Sequence, residues 1–475
     1  MLSPKFLMVL PLLFLGLLVG CGPAQMPEPQ SVPSEQQPIQ QSPEPETAEA
    51  ESEVTEDVQP EWIPESAARA LLALIIAGQY DQAVEKFNDE VAAALPSEKL
   101  KTTVETIQKQ VGRYQGVADE AKVQSLPPEY VVVDLLCSFE ITKLVFRVSY
   151  NEQQQVAGIF FLPAPAEPTP VDKNAPPDVQ LQTKDTTLYG TIDLPAGDGP
   201  FPVVLIVGGS GPNDRDGNQA ALKSDYLKKL AAGLTEQGFA VLRYDKRGSG
   251  KSKVGDAPLE TFRFDVFVDD AVGWVAMLRK DQRFSGVAIL GHSQGSLVAM
   301  LTAQQVPVDA IVSIAGPGRS IDKVLITQLG EKLKSIPELR DHAFATIEEL
   351  AGGQTVEDYP EQLEALFKPS IQGFLISWMH HDPVKVIATL EIPILIVQGT
   401  RDIQILVEDA EALKKNQAAA ELVLVKNMNH VLRHIATEAE QLPSYGNQEL
   451  PLDPQLVPTV TRFLKKTFAA ESESP

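Results

Sequence analysis

The sequence has few cysteines, few histidines and fewer basic than acidic residues, and these shortages limit the classes of function that the protein can have. Forty Lys and Arg stand against 64 Asp and Glu, for a formal net charge of −24. This balance argues against a nucleic-acid partner, because phosphate binding needs a basic surface. One of the two cysteines, Cys137, lies in the apolar run 131–137 and is expected to be a buried, unreactive side chain.

The amino-terminal apolar run is too short for a membrane span. Phe6–Val19 falls below the roughly 20 apolar residues that a transmembrane helix needs. The segment Leu18–Cys21 reads Leu-Val-Gly-Cys and resembles the lipobox of bacterial lipoproteins, which implies removal of residues 1–20 as a signal peptide and lipidation of Cys21. We therefore expect a lipid-anchored protein of the cell envelope that faces outside the cytoplasm. An ordinary signal peptide or a buried helix is the alternative.

The next segment is predicted to be a tether. Residues 22–60 contain eight prolines, nine acidic residues and no Lys or Arg. Such a composition cannot bury enough apolar surface to offset its ordering entropy, and its prolines and like charges keep it extended. Together with Cys21 it forms a disordered region, 21–60, that holds the folded part away from a membrane.

Residues 61–163 are predicted to form an α+β domain. Apolar spacing predicts helices over 67–77, 80–94 and 99–111, and an alternating pattern then predicts a hairpin of strands over 144–150 and 156–162. The run Gly-Gln-Tyr-Asp-Gln-Ala-Val-Glu-Lys-Phe at 78–87, followed by Gln-Val-Gly at 110–112 and the paired strands, resembles the small cone-shaped domains related to nuclear transport factor two. Since no acid, base or metal cluster stands out, we expect an accessory or substrate-gripping role. A Pro-rich linker over 164–180 follows.

Residues 181–470 change to alternating strands and helices. Continuous apolar strands of this kind indicate a mostly parallel, doubly wound α/β sheet that is covered on both faces. A largely helical stretch over 316–390 is predicted to be an insertion that caps the site. The strands are predicted over 188–194, 203–208, 240–244, 287–291, 310–315, 394–398 and 422–425.

One element of this region carries a nucleophile signature. Gly291-His292-Ser293-Gln294-Gly295 follows an apolar strand and precedes a helix. A serine at so sharp a strand-to-helix turn needs small residues on either side, and Gly291 and Gly295 supply them. The turn would expose the Ser293 hydroxyl and aim N–H groups of the new helix at it. The side chain of His292 is expected to point away from the site.

A serine nucleophile needs a base and an acid. His430 comes after the last predicted strand, at the carboxyl end where catalytic groups gather in open α/β sheets; His434 is its rival. Asp402 lies in the exit loop of the preceding strand and would orient the imidazole. Asp409 and Asp382 are the weaker alternatives for the acid.

An oxyanion needs two N–H donors that are already in position. We expect one from Gln294 and the other from Ser210 or Gly211, in the Gly-rich loop 208–212. The loop continues through 213–218 with a faint likeness to a calcium loop, but it lacks the full ligand spacing, so a hydrogen-bonded turn is favoured over a metal site.

These motifs together resemble the α/β-hydrolase superfamily, close to its esterases and its branches similar to serine aminopeptidases and prolyl oligopeptidases. The resemblance implies that Asp245 and Arg247 brace a loop beside the site without taking part in the chemistry. The oxyanion loop departs from the common pattern, since it begins Gly-Gly where His-Gly is usual. The motifs that carry the resemblance are Gly-Gly-Ser-Gly-Pro at 208–212, Arg-Tyr-Asp-Lys-Arg-Gly-Ser-Gly-Lys-Ser at 243–252, Gly-His-Ser-Gln-Gly at 291–295, Gln-Gly-Thr-Arg-Asp at 398–402 and Asn-His at 429–430.

The sequence therefore predicts a serine hydrolase that cleaves small-molecule carboxylic esters or thioesters through an acyl-enzyme, with no cofactor and no metal. Two alternatives remain open at this point. One is a peptidase or amidase with the same Ser293, Asp402 and His430. The other is a non-catalytic envelope-binding lipoprotein, against which the complete set of three residues argues.

Overall fold

The computed structural model describes residues 62–126, 130–140, 142–164, 178–219, 222–255 and 258–472. The predicted signal peptide, Cys21 and the tether lie outside the described residues. Among the residues that are described, no helix has the length and apolar character needed to cross a bilayer.

The first domain packs helices against an antiparallel sheet, as the α+β prediction required. Its sheet order is β1-β2-β3-β4, and apolar side chains of helices and strands share one core. Cys137 is buried in that core, and burial raises the pKa of its thiol to about 11. The elements are α1 (Pro64–Ile76), α2 (Tyr80–Val84), α3 (Asp89–Ala94), α4 (Ser97–Val111), β1 (Tyr114–Leu126), β2 (Tyr130–Phe139), β3 (Lys143–Tyr150) and β4 (Val156–Pro163).

Two features of this domain differ from the prediction. The helix expected over 80–94 is split, because the chain between α2 and α3 pairs with the start of β4 through Val156 N–H to the Lys86 carbonyl and Asn88 N–H to the Val156 carbonyl. The Asn88 side chain then accepts the Val91 N–H and starts α3. The sheet also contains β1 and β2, which were not predicted. The sequence of β1, Tyr-Gln-Gly-Val-Ala-Asp-Glu-Ala-Lys-Val-Gln-Ser-Leu, lacks a regular alternation of apolar and polar residues, and the apolar run in β2 cannot be told from a helix by periodicity alone.

The second domain is built on a twisted α/β sheet. Within residues 178–472, as far as they are described, the strand order is β12-β11-β10-β9-β7-β8-β6-β5. Pairing is parallel from β12 to β8, whereas β6 runs antiparallel to both β8 and β5. The strands are β5 (Asp178–Gln182), β6 (Thr187–Asp193), β7 (Phe201–Val207), β8 (Ala240–Tyr244), β9 (Phe284–His292), β10 (Ala310–Ile314), β11 (Ile394–Gly399) and β12 (Glu421–Val425).

The sheet begins earlier than expected. β5 starts at Asp178, inside the stretch predicted as linker 164–180, and pairs with β6 from Asp178 opposite Thr191 to Gln182 opposite Thr187. Its alternating Asp-Val-Gln-Leu-Gln sequence was too short to separate from the Pro-rich segment before it. The domain boundary therefore lies before Asp178.

Helices cover both faces of this sheet. Val203 and Leu205 of β7 pack into one apolar cluster with α6 and α7, and Val204 and Ile206 pack into another with α5 and α14. This two-sided burial explains the continuous apolar sequence of the strands. The covering helices are α5 (Tyr226–Glu236), α6 (Asp265–Lys280), α7 (Gln294–Ala303), α13 (Val407–Asn416) and α14 (Leu456–Ser472).

The predicted insertion over 316–390 is helical between β10 and β11. The stacked rings of Phe264 and Trp378, 5.4 Å apart and 7° from parallel, attach it to the start of α6. Its elements are α8 (Ile321–Lys332), α9 (Pro337–Ala351), α10 (Glu364–Phe367), α11 (Pro369–Met379) and α12 (Pro383–Ile387).

Candidate active site

The backbone of Ser293 is held in a rare conformation at the junction of β9 and α7. Its φ is 55° and its ψ is −121°, which a non-glycine residue adopts only under constraint. The neighbouring glycines permit this turn: a Cβ on Gly291 would collide with the Gly295 carbonyl, and a Cβ on Gly295 would collide with the Val207 carbonyl. Ser293 is 8% exposed and lines a cavity.

His430 lies on the same cavity and is oriented by Asp402. Its Nδ1 is 2.8 Å from Asp402 Oδ2, which can only accept, so Nδ1 carries the proton and Nε2 is the nitrogen able to accept one. The other oxygen of Asp402 accepts the N–H groups of Gln404 at 2.8 Å and Ile405 at 3.0 Å. These bonds fix the carboxylate against the imidazole.

The loop after β12 fixes the position of His430. The Asn429 N–H donates to the Arg433 carbonyl, and the Arg433 N–H donates back to Asn429 Oδ1 at 2.9 Å. The Asn429 amide also donates to Ser444 Oγ at 2.7 Å. Leu432 completes the turn with a φ of 62°. In the Asn-His pair of the sequence, the Asn429 side chain therefore holds the loop in shape, and the loop places His430 at the cavity.

The rival residues are engaged elsewhere. His434 Nδ1 contacts Asp453 Oδ2 at 2.9 Å, outside the Asp402 pair. Asp409 binds Arg319 at 2.8 Å and caps the start of α13, and Asp382 pairs with Lys385 at 3.2 Å in the insertion. Of the predicted acid and base candidates, the structure brings together Asp402 and His430.

The expectation that His292 points away from the site is wrong. Its ring lies 4.8 Å from the ring of His430, and its Nε2 is 2.8 Å from the His430 carbonyl oxygen. Burial lowers the pKa of His292 to about 3, so the ring is neutral and Nε2 donates to that carbonyl. The Tyr226 hydroxyl, 3.2 Å from Nδ1, then donates to the remaining nitrogen. Nothing in the spacing of the sequence connected Tyr226, at the start of α5, with the site.

The oxyanion loop lies directly against the nucleophile. A Cβ on Gly209 would come within 3.2 Å of the Ser293 Cβ and 3.1 Å of His292 Nδ1, so glycine allows this approach without a shift of either neighbour. Gly209 and Ser210 line the cavity, whereas Gly211, with a φ of 85°, lies behind them. Gln294 begins α7, and its backbone N–H is one of the helix N–H groups without an intrahelical acceptor.

Asp245 and Arg247 both lie in a network of ion pairs. Asp245 accepts the Arg215 guanidinium at 2.8 Å and the Lys251 N–H at 2.9 Å. Arg247 pairs with Asp270 at 2.8 Å and with Asp185 at 2.7 Å. They join the loops after β7 and β8 to the sheet, which is the bracing that the family resemblance implied.

The segment 213–218 forms a hydrogen-bonded turn. Asp214 Oδ1 accepts the N–H groups of Asp216 at 3.0 Å and Asn218 at 2.8 Å. In the part of the chain that the structure describes, no group of His, Cys, Asp and Glu side chains is arranged to hold a metal ion.

The cavity in front of Ser293 has a volume of about 860 Å³, within the usual range for small-molecule sites. Helix α8 of the insertion forms one wall, and Val111 and Thr142 of the first domain reach its rim. Its two rim carboxylates have cationic partners, since Glu331 pairs with Lys334 at 3.3 Å and Glu438 with Arg401 at 3.7 Å. Besides Val111, the aliphatic side chains of the lining are Leu222, Ile403, Leu406, Val431 and Leu442.

Comparisons with known proteins agree with this architecture. The family described as "Serine aminopeptidase, S33" matches residues 221–369, and "Protein of unknown function (DUF3887)" matches residues 68–159, inside the predicted accessory domain. Esterase EstD of Thermotoga maritima is 28% identical over 393 residues, 82% of this chain and 92% of the relative. That alignment is longer than residues 178–472, so the likeness extends into the first domain.

Solved structures of similar proteins include Est1E from Butyrivibrio proteoclasticus, which is 16% identical to this chain. The match covers 62% of this chain and 99% of Est1E, with a TM-score of 0.40. The Pyrococcus furiosus esterase Pf2001 has 18% identity, coverage of 64% and 97%, and a TM-score of 0.44. The strand order of the sheet, the serine at its strand-to-helix turn and the Asp402–His430 pair are those of a serine hydrolase with the α/β-hydrolase fold. The chain is similar to a bacterial esterase over most of its length, and its residues 68–159 match the DUF3887 family.

The His292 network gives a first testable expectation. Tyr226→Phe removes the donor that fixes the His292 tautomer, so the bond to the His430 carbonyl weakens and kcat/KM for a p-nitrophenyl ester should fall about 5- to 10-fold, the equivalent of one net hydrogen bond of about 1 kcal/mol. Tyr244→Phe is the matched control, because the buried Tyr244 hydroxyl has no hydrogen-bond partner among the residues that the structure describes. Equal rates in the two variants would contradict the role given to Tyr226.

Proposed function

We propose that the protein hydrolyses carboxylic esters, or thioesters, through an acyl-enzyme formed on Ser293. The observation that supports this most directly is the Asp402–His430 pair on the same cavity as a serine in a strained strand-to-helix turn. Such a pair can remove the proton of a serine hydroxyl at neutral pH.

In the first half-reaction, His430 Nε2 accepts the proton of Ser293 Oγ as that oxygen attacks the acyl carbon. The tetrahedral oxyanion is stabilised by the N–H groups of Gln294 and Ser210. Ser210 is preferred to Gly211 as second donor, because Ser210 lines the cavity and Gly211 does not. His430 then gives the proton to the leaving alkoxide or thiolate, and the C–O or C–S bond breaks.

In the second half-reaction, a water molecule replaces the alcohol. His430 takes a proton from the water as it attacks the acyl-enzyme, and returns that proton to Ser293 Oγ when the carboxylic acid leaves. Asp402 keeps the imidazole in the required tautomer and stabilises its charged form throughout.

The charges of the cavity favour an ester over an aminopeptidase substrate. An aminopeptidase must bind the ammonium of its substrate, and unpaired carboxylates are the natural partner for that cation. In the described lining, Glu331 and Glu438 are paired with Lys334 and Arg401, and Asp402 is bound to His430. An uncharged acyl ester needs no unpaired carboxylate for binding.

Ser293→Ala should lower kcat for p-nitrophenyl butyrate by about 10⁶-fold without changing the melting temperature appreciably, because the three residues act as one unit. A fluorophosphonate probe should label the wild type and leave the variant unlabelled. Labelling of a different serine would contradict the assignment. Comparing p-nitrophenyl acyl esters with aminoacyl p-nitroanilides then decides between ester and peptide substrates.

Asp402→Asn should lower kcat by up to about 10⁴-fold, since the amide no longer fixes the correct imidazole tautomer. Asp382→Asn is the control, because Asp382 pairs with Lys385 at the start of α12, away from His430. The test is to measure kcat of both variants on one ester. A large loss of kcat in Asp382→Asn with a small loss in Asp402→Asn would indicate that the acid is Asp382 of the insertion.

We also propose that the enzyme acts at a membrane surface of the cell envelope, anchored through lipid on Cys21. This rests on the short apolar run, the Leu-Val-Gly-Cys sequence and the acidic, Pro-rich composition of residues 22–60. In cells, Cys21→Ala should shift the esterase from the membrane fraction to the soluble or unprocessed fraction, while kcat of the isolated protein stays within about twofold, because the tether carries no catalytic group. Unchanged membrane fractionation of the variant would refute the anchor.

A further inference from the structure

A lysine that the reaction scheme does not use contacts both the loop after β7 and the residue that follows Ser293. Lys246, in the loop after β8, is only 4% exposed. Its Nζ donates to the carbonyl oxygen of Gly209 and to Oε1 of Gln294 at 3.2 Å, and it lies 5.0 Å from the centre of the Phe267 ring. Both hydrogen-bonded partners belong to segments that supply the oxyanion donors.

No carboxylate neutralises this cation within the described residues. Its sequence neighbours are engaged elsewhere, Asp245 with Arg215 and Arg247 with Asp270. Burying a charged group without an opposite charge is costly, and burial lowers the pKa of Lys246 to about 7. Buried groups of this kind concentrate at functional sites.

The contact with Gly209 bears on the orientation of an oxyanion donor. The Gly209 carbonyl and the Ser210 N–H belong to one planar trans peptide, so the two groups point in opposite directions. An ammonium that holds the carbonyl on one side therefore fixes the direction of the N–H on the other. The same ammonium holds the side chain of Gln294, whose backbone N–H is the second donor.

We propose that Lys246 is the positioning residue of the oxyanion site, which joins the two donor segments through one ammonium and places a positive charge behind the developing oxyanion. This inference rests on the proposed acyl-enzyme mechanism. In a buried, low-dielectric setting, a charge that does not have to reorganise favours the transition state over the neutral ground state.

The groups around Lys246 determine how it responds to pH. Phe267 of α6 and Gln294 of α7 do not titrate, and the Gly209 loop presents a carbonyl. The titratable group that faces it is His292 of β9, whose low pKa is due in part to the charge of Lys246, with the Asp402–His430 pair beyond. Since His292 remains neutral, a change of charge on this side of the site near pH 7 belongs to Lys246.

The test uses Lys246→Met in the full-length protein. We expect kcat for p-nitrophenyl butyrate to fall about 10- to 100-fold with KM within about twofold, which is less than the loss of about 10²- to 10³-fold for removing an oxyanion donor itself. Affinity for a trifluoromethyl ketone, whose adduct with Ser293 carries the oxyanion, should fall by a similar factor. Lys251→Met, in the same motif but with a 63% exposed side chain, is the matched control and should change neither value.

The pH profile separates charge from packing. Lys246, with a pKa of about 7, is protonated at lower pH and then assists the reaction. At higher pH it loses its proton and its charge. Wild-type kcat/KM should therefore decline as the pH rises past about 7. Lys246→Met should lack that decline. Lys246→Gln keeps a hydrogen-bond donor without the charge, and should recover part of kcat without recovering the decline. If Lys246→Met does not fold, Lys246→Gln carries the same test.

Two results would overturn the inference. One is a stable variant that keeps both kcat and trifluoromethyl ketone affinity within about twofold of wild type. The other is a lower kcat with the affinity for the ketone and the pH profile unchanged, which indicates a packing role only. Labelling of wild-type Ser293 by a fluorophosphonate tests the acyl-enzyme mechanism separately from the role of Lys246. If Ser293 were not labelled, the proposed mechanism would be wrong, whatever the Lys246 variants show.

Discussion

The close contact between the end of β7 and the start of α7 is the constraint on which the rest of the site depends. Gly295 lies so near the Val207 carbonyl that a single methyl group would not fit between them. This contact forces the chain to turn sharply at Ser293, and the turn is possible because Gly291 also lacks a side chain. Since the loop after β7 follows Val207 directly, the same contact determines how near Gly209 approaches the nucleophile.

The three candidate catalytic residues could be placed at one site from the sequence, because the position of each follows from local order along the chain. Ser293 sits between two glycines at the end of an apolar strand, and Asp402 and His430 follow the next two strands that could carry them. The carboxyl ends of parallel strands meet at one edge of a sheet, so chain order was enough to bring these residues together. The doubly wound sheet itself followed from its continuous apolar strands.

The features that sequence reasoning missed depend on contacts between distant segments. The His292 ring, the Tyr226 hydroxyl and the Lys246 ammonium gain their roles from what surrounds them, and a single sequence gives no sign of those neighbours. Three strands were not predicted for a different reason. β1 lacks a regular alternation of apolar and polar residues, the apolar run in β2 could not be told from a helix by periodicity alone, and β5 is short and follows a Pro-rich stretch. The break between α2 and α3 arises from pairing with β4, which overrides the local helical spacing.

Part of the wall of the cavity comes from segments that do not build the eight-stranded sheet. Helix α8 belongs to an insertion between β10 and β11, and Val111 and Thr142 belong to the domain before the sheet. The remaining walls are formed by loops that follow the strands, and these loops carry Leu222, Ile403 and Leu442. One side of the space offered to a substrate is therefore encoded apart from the strands that hold Ser293, Asp402 and His430, so that evolution, or an engineer, can alter that side while leaving these three residues in place.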